Sequence, residues 1–397
     1  MSRPGQPEPA GPTTKLGCVP DVPSPAAYPW PAQSATGVGS MPGTDPLETM
    51  RLIFGELPEL PHLAELPDRG PGADLTGRTA AMLVGLPTEL TPGGWRLADR
   101  PGRDLRRAQS LLARDLDALQ EVADGYAGVV KISACGPWTM AATLELTRSQ
   151  EPALADRGAV SDLTASLAEG VAGHVADVAA RVPGARLLLQ LDEPALPAVL
   201  AGTVPSASGL NRVRAVEEPD AEAGLRTVLA AARVPTLVHC CAVSVPLGMI
   251  RDAGAAAAGI DLGQLRRGEE EVLAAVVEAG LGIFAGAVPA TPVPVPARAA
   301  APAASQGTAK SAQRRSAQQS PGTVAAVQVT ELWRRMGWPV ARPPGAAASL
   351  AARVAGQVVI TPACGLAGAP PDYARSALAS CREAAQMLPE MIEEESR

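Results

Sequence analysis

Short apolar runs alternate with amphipathic stretches along most of the chain, and this alternation constrains the fold more than any other feature. The runs are 35–39 (ATGVG), 80–86 (AAMLVGL), 129–134 (VVKISA), 187–191 (LLLQL), 236–241 (TLVHCC), 256–261 (AAAGID), 281–285 (LGIFA) and 357–361 (QVVIT). Each is flanked by turn formers and is too apolar for a sheet with one face in water. Helical periodicity occupies 46–57, 103–125, 162–181, 219–232, 244–253, 268–279, 323–337 and 371–389. Eight strands alternating with eight helices predict an α/β fold, a single (β/α)8 TIM barrel. A two-domain doubly wound protein is the alternative topology.

Two segments fall outside this pattern. Residues 1–33 are rich in Pro, Gly and Ser with little apolar periodicity, and are expected to form a disordered tail. Residues 288–322 form a Pro/Ala-rich, low-complexity stretch that cannot bury a core of its own. That stretch follows the seventh strand, where a barrel tolerates a long βα loop. The barrel domain is therefore expected to span 34–397, with 288–322 as an insertion.

Composition excludes some function classes. Net charge is −7 and the basic residues are scattered, so no nucleic-acid or polybasic membrane surface is expected. No apolar run is long enough to span a bilayer and no signal-peptide pattern opens the chain, which predicts a cytoplasmic protein. In that compartment thiols stay reduced, and clustered cysteines bind metal or do chemistry more often than they form bridges.

In such a barrel the chemistry sits at the C-terminal ends of the strands. Those ends read "TGVGSMPG", "ACGPWT", "LQLDEPAL", "VHCCA", "GIDLG" and "TPACGLAG". On a strand, His239 and Cys241 point to the same face, and Cys240 points to the helix layer as a small buried residue. Imidazole and thiolate are ligands that zinc prefers, and a catalytic zinc needs about three protein ligands plus an open position. Cys364 supplies a third candidate and Asp261 a fourth. The same letters also suit a core histidine beside inert thiols. In "LQLDEPAL" only one of Asp192 and Glu193 is expected to enter the mouth, where a carboxylate suits an ammonium group or supports a zinc ligand. A helix N-cap is the other use for either acid. "GVGSMPG" lacks dinucleotide-binding spacing, but its backbone N–H groups suit a carboxylate.

These motifs, in this order, resemble the C-terminal catalytic barrel of cobalamin-independent methionine synthases, in the superfamily of uroporphyrinogen decarboxylase. The resemblance covers about residues 34–390 and lacks the second, N-terminal barrel of the long enzymes. "TGVGSMP" is similar to the family's Ile-Gly-Ser loop and "CGPWT" to its Gly-Pro-x-Thr turn. "LQLDEPAL" is similar to Gln-x-Asp-Glu-Pro-Ala, "VHCC" to the His-x-Cys zinc pair, and "TPACGL" to the segment with the last zinc cysteine. The resemblance implies Zn2+ on His239, Cys241 and Cys364, lowering the pKa of a homocysteine thiol that then takes a methyl group to give methionine. It also implies that Val38, Gly39 and Ser40 hold the substrate carboxylate. Asp192, the candidate catalytic carboxylate, would hold its ammonium. Glu65, in "AELPDRGPGADL", is a looser match to a second ammonium-binding acid, and reads equally as a loop charge.

Two departures stand out. The family's fourth zinc ligand is a glutamate, and that place holds the shorter Asp261. The family's loop after the seventh strand carries a proton-relay histidine, whereas "FAGAVPATPVPVP" has none. Methyltetrahydrofolate needs a protonated nitrogen to leave, so the methyl donor is either that folate or a methylcorrinoid, free or carried on a corrinoid protein. Two other readings remain. One is a zinc-dependent alkyltransferase acting on another small thiol such as coenzyme M. The other is a non-catalytic, zinc-stabilised barrel.

Overall fold

The computed structural model describes residues 28–292, 320–337, 354 and 356–395. Residues 1–27 and 293–319, which hold most of the expected tail and of the Pro/Ala-rich segment, lie outside the described residues. A small antiparallel hairpin, β1 (Thr88–Thr91) and β2 (Gly94–Leu97), precedes six parallel strands. These are β3 (Val129–Cys135), β4 (Arg186–Asp192), β5 (Thr236–Cys240), β6 (Ala257–Asp261), β7 (Gly282–Val288) and β8 (Val358–Pro362), paired in that order. β3, β5, β7 and β8 are buried along their whole length. Burial on both faces is what their apolar sequences require of a parallel sheet.

Two irregular segments complete the ring. Residues 34–36 lie beside β8 through the bridge Ala35–Ile360, with Thr36 N donating to Ile360 O at 3.1 Å. Residues 39–41 run beside 65 through the bridge Ser40–Glu65, and residues 61–63 join β3 through His62–Lys131. The architecture is thus an eight-stave, TIM-barrel-like ring in which two staves carry too few regular hydrogen bonds to form strands.

The second stave is not the run 80–86 that the sequence suggests. Residues 75–80 form a short helix and 81–86 are turn and bend. The AAMLVGL run is apolar because it packs beneath a later helix, where Gly170 lets the Met82 carbonyl approach closely. The true second stave, "PHLAE" at 61–65, carries a histidine and a glutamate pointing into the barrel and so has no apolar signature.

The outer layer consists of α1 (Pro46–Glu56), α2 (Leu75–Ala80), α3 (Arg103–Val122), α4 (Pro137–Thr143), α5 (Arg157–Arg181), α6 (Leu196–Ala201), α7 (Glu218–Ala232), α8 (Leu247–Asp252), α9 (Glu270–Glu278), α10 (Pro321–Arg335) and α11 (Pro371–Glu395). Their starts follow local chemistry. Asp45 Oδ1 accepts from Leu47 N and Glu48 N ahead of Pro46, and Ser320 caps Thr323 N ahead of Pro321. The barrel floor is a separate apolar cluster of Trp30, Leu60, Val129, Leu188, Leu237, Ala257, Phe284 and Val359. Trp30 belongs by composition to the tail, yet it is 4% exposed and packs edge-on to Phe284. Its indole N–H donates to Gly356 O at 2.9 Å. Packed chain is thus present from residue 28, ahead of the boundary at 33 that composition suggests.

Candidate active site

At the strand C-termini a cavity of about 300 Å³ is lined by Val38, Gly39, Ser40, Glu65, Asp192, His239, Cys241 and Cys364, with Pro67, Ala73, Leu75, Pro194 and Gly365. Every site residue singled out in the sequence lines it except Asp261. The larger cavity of about 920 Å³, between α5, α7 and residues 206–217, contains none of them.

Cys241 follows β5 and Cys364 follows β8, and their sulfurs stand 3.3 Å apart. The contact holds the Cys364 thiol down to about 6 and pushes the Cys241 thiol up, since two thiols at this range share one proton. Cys240 is fully buried on the opposite face, and burial pushes its thiol up to about 12. The alternating pleat thus sends the two adjacent cysteines to opposite faces, Cys241 to the cavity beside Cys364 and Cys240 away from it.

His239 Nδ1 lies 2.8 Å from Asp192 Oδ1, and its other nitrogen, Nε2, is buried without a hydrogen-bond partner. The carboxylate accepts, so Nδ1 carries the proton and the Nε2 lone pair is free. Gln190 Nε2 donates to the same Asp192 oxygen at 2.7 Å. Glu193 faces the other way, as strand alternation requires. It accepts from Trp138 N, Thr139 N and Thr139 Oγ1 at 2.7–2.9 Å and anchors α4. Burial raises its carboxyl to about 7. Neither acid caps the helix that follows Pro194, whose N-cap is Ala195 with no side-chain hydrogen bond; Glu193 serves the N-terminus of α4 instead, and the mouth receives Asp192.

Glu65 is buried on the second stave and accepts from Ser133 Oγ at 2.6 Å. Burial raises its pKa above the usual carboxylate range. It is no solvated loop charge. The N–H groups of Val38, Gly39 and Ser40 donate to no protein acceptor among the described residues, while the Val38 carbonyl accepts from Lys131 Nζ and Gln190 Nε2. The cavity therefore pairs free backbone donors on one wall with two carboxylates nearby. That pattern suits a zwitterionic α-amino acid.

Asp261 is not brought into this cavity. Its Oδ1 accepts from Gly263 N at 2.8 Å, and the residue lines a separate small recess with Ala242, Ser244 and Gln264. Lys131 and Gln190 are the residues that the sequence reading passed over. A lysine inside the apolar run VVKISA was their signal, because a buried ammonium needs dedicated partners.

Among the described residues, no group of three or more His, Cys, Asp or Glu side chains is arranged to hold a metal ion as it stands. Tetrahedral zinc with two thiolates at about 2.3 Å separates the sulfurs by about 3.8 Å, so the Cys241–Cys364 pair needs only a small opening. The chemistry of the donors fits: two thiols, plus a buried imidazole nitrogen whose lone pair has no other use.

Searches of family models and of curated proteins by sequence match nothing. Solved structures do match. A B12-independent methionine synthase from Shewanella sp. W3-18-1, in complex with selenomethionine, superposes with a TM-score of 0.52 at 10% identity, over 91% of this chain and 99% of that one. A methyltransferase from Methanosarcina mazei gives a TM-score of 0.52 at 13% identity, over 90% and 95%. What these chains share is the fold. At such identities the shared barrel says nothing by itself about substrate or metal, and the chemistry has to be argued from this chain's own residues.

Proposed function

We propose that this protein is a zinc-dependent methyltransferase that moves a methyl group to the thiol of homocysteine, giving methionine. The observation that carries the reading is the meeting of Cys241, Cys364 and the free Nε2 of His239 in a pocket that also holds Glu65 and Asp192. His239, Cys241 and Cys364 would hold the metal, which when bound supplies the acidity that keeps a substrate thiol deprotonated at neutral pH. Backbone N–H groups at Val38, Gly39 and Ser40 would bind the substrate carboxylate. The ammonium would sit between Glu65 and the free oxygen of Asp192. Asp192 then has two tasks, since its other oxygen already orients His239. The apolar wall of Pro67, Ala73 and Leu75 would exclude water from the reacting sulfur.

The two acids favour an aminothiol over a sulfonated thiol such as coenzyme M, whose anionic end would meet Glu65 and Asp192. Calorimetric titration of zinc-loaded protein with L-homocysteine tests the reading. Binding that requires zinc, releases a proton and exceeds binding of 2-mercaptoethanesulfonate is expected. Equal or stronger binding of the sulfonate would move the assignment to the other thiol class. A zinc-loaded protein that binds neither thiol would leave a zinc-stabilised barrel without this activity.

A further inference from the structure

We infer that Lys131, deep inside the barrel, is a positioning residue that fixes the tautomer and aim of His239 through Gln190 and Asp192. The inference rests on the reading that His239 presents Nε2 to the thiol pocket.

Lys131 sits in the middle of β3 and is fully buried. Its Nζ donates to Val38 O at 2.7 Å and to Gln190 Oε1 at 2.8 Å. Burial lowers its pKa to about 8, against the opposing pull of Asp192 and Glu65. An ammonium only donates, so it dictates which end of the Gln190 amide faces it. The oxygen turns to Lys131, and the NH2 must then face Val38 O at 2.8 Å and Asp192 Oδ1 at 2.7 Å. That donation pins the Asp192 oxygen, which accepts from His239 Nδ1 at 2.8 Å. Each link is polar in one sense only. The chain runs from ammonium to amide to carboxylate to imidazole, and ends by leaving the lone pair of Nε2 directed to the cavity.

The barrel register makes the chain possible. Lys131 pairs with Leu188 and Asp192 pairs with His239, so three adjacent strands each contribute a link. Buried polar chains of this kind are worth keeping only if every member is satisfied, because a half-satisfied one is worse than an apolar core.

The test reads the tautomer directly in metal-free protein. The chain has three histidines, so the ring nitrogens of uniformly 15N-labelled protein can be assigned by long-range proton–nitrogen correlation. His62 is an internal contrast, because its Nδ1 accepts from Gly37 N at 3.3 Å and its proton therefore lies on Nε2. In the native protein His239 should show one tautomer, protonated on Nδ1. Lys131→Met and Gln190→Met should each give a mixture of tautomers at His239. Both should also weaken zinc about 10- to 100-fold in chelator competition, the range for lost outer partners of a ligand. If Lys131→Met does not fold, Gln190→Met, neutral and of similar shape, carries the test. Unchanged His239 signals and zinc affinity in a folded variant would overturn the inference. A native protein with the expected tautomer that takes up no zinc would support the inference and overturn the zinc reading.

Discussion

Cys241 and Cys364 lie 123 residues apart in the chain and 3.3 Å apart at their sulfurs. They come from the C-terminal ends of β5 and β8, so the pair exists only when the barrel is closed. About one zinc per chain is expected. Cys241→Ser and Cys364→Ser should each lose most of it, because a hydroxyl is a poor substitute for a thiolate on zinc. Cys240→Ser should keep it, since that side chain faces the helix layer. Elemental analysis of the three purified variants decides the matter, and zinc loss confined to Cys240→Ser would reverse the facing of the strand.

The donor can be predicted from where the histidines are. His62 is buried in the barrel interior against Gly37 and does not line the cavity, and burial holds its pKa well down. His174 is on α5, outside the ring, lowered to about 3 by burial. β7 runs into Pro289 and brings no histidine. No imidazole besides His239 is therefore at hand to protonate a departing folate nitrogen. Methyl transfer from methyltetrahydrofolate should be slow or absent, and methylcobalamin or a methylated corrinoid protein should serve better. Steady turnover with the folate alone, followed by methionine release, would refute this.

Glu193 predicts a pH dependence of stability. Its carboxyl lies near 7 in the folded chain against an ordinary 4.5. The folded state thus binds the extra proton between those values, and the associated stability is fully present below 4.5. It is lost as pH rises through about 7, up to about 3 kcal/mol in all. Denaturant midpoints measured from pH 5 to 8 should fall in the native protein. They should fall less in Glu193→Gln, which starts lower because its amide cannot accept from both Trp138 N and Thr139 N.

Gly37→Ala should destabilise the barrel by about 1–3 kcal/mol, the usual cost of overpacking. A methyl there would overlap the His62 ring, which is wedged between the first two staves. Thermal melting checks this, and an unchanged midpoint would mean that the ring has room to move.

Much of this arrangement was legible in the letters. Seven of the eight apolar runs fall on barrel staves, and His239, Cys241, Cys364, Asp192, Glu65 and the 38–40 loop gather in one cavity. The second stave was not legible, because a segment of five residues with inward His62 and Glu65 has no period to detect. Asp261 ends the expected strand, but the turn it starts draws its carboxylate to Gly263. Lys131 was visible as an odd letter in an apolar run, but its partners were not. Its role depends on Val38 and Gln190, which are 93 and 59 residues away.

The ring closes where its first stave meets its last, and the cavity straddles that seam. Leu366 N donates to Ser40 O across it, and Gly365 leaves room for the Ser40 hydroxyl. A nascent chain emerging from the ribosome therefore carries Cys241 and His239 long before it has Cys364 beside them. The pocket belongs to the finished polypeptide alone, and a truncation that removes β8 takes it away.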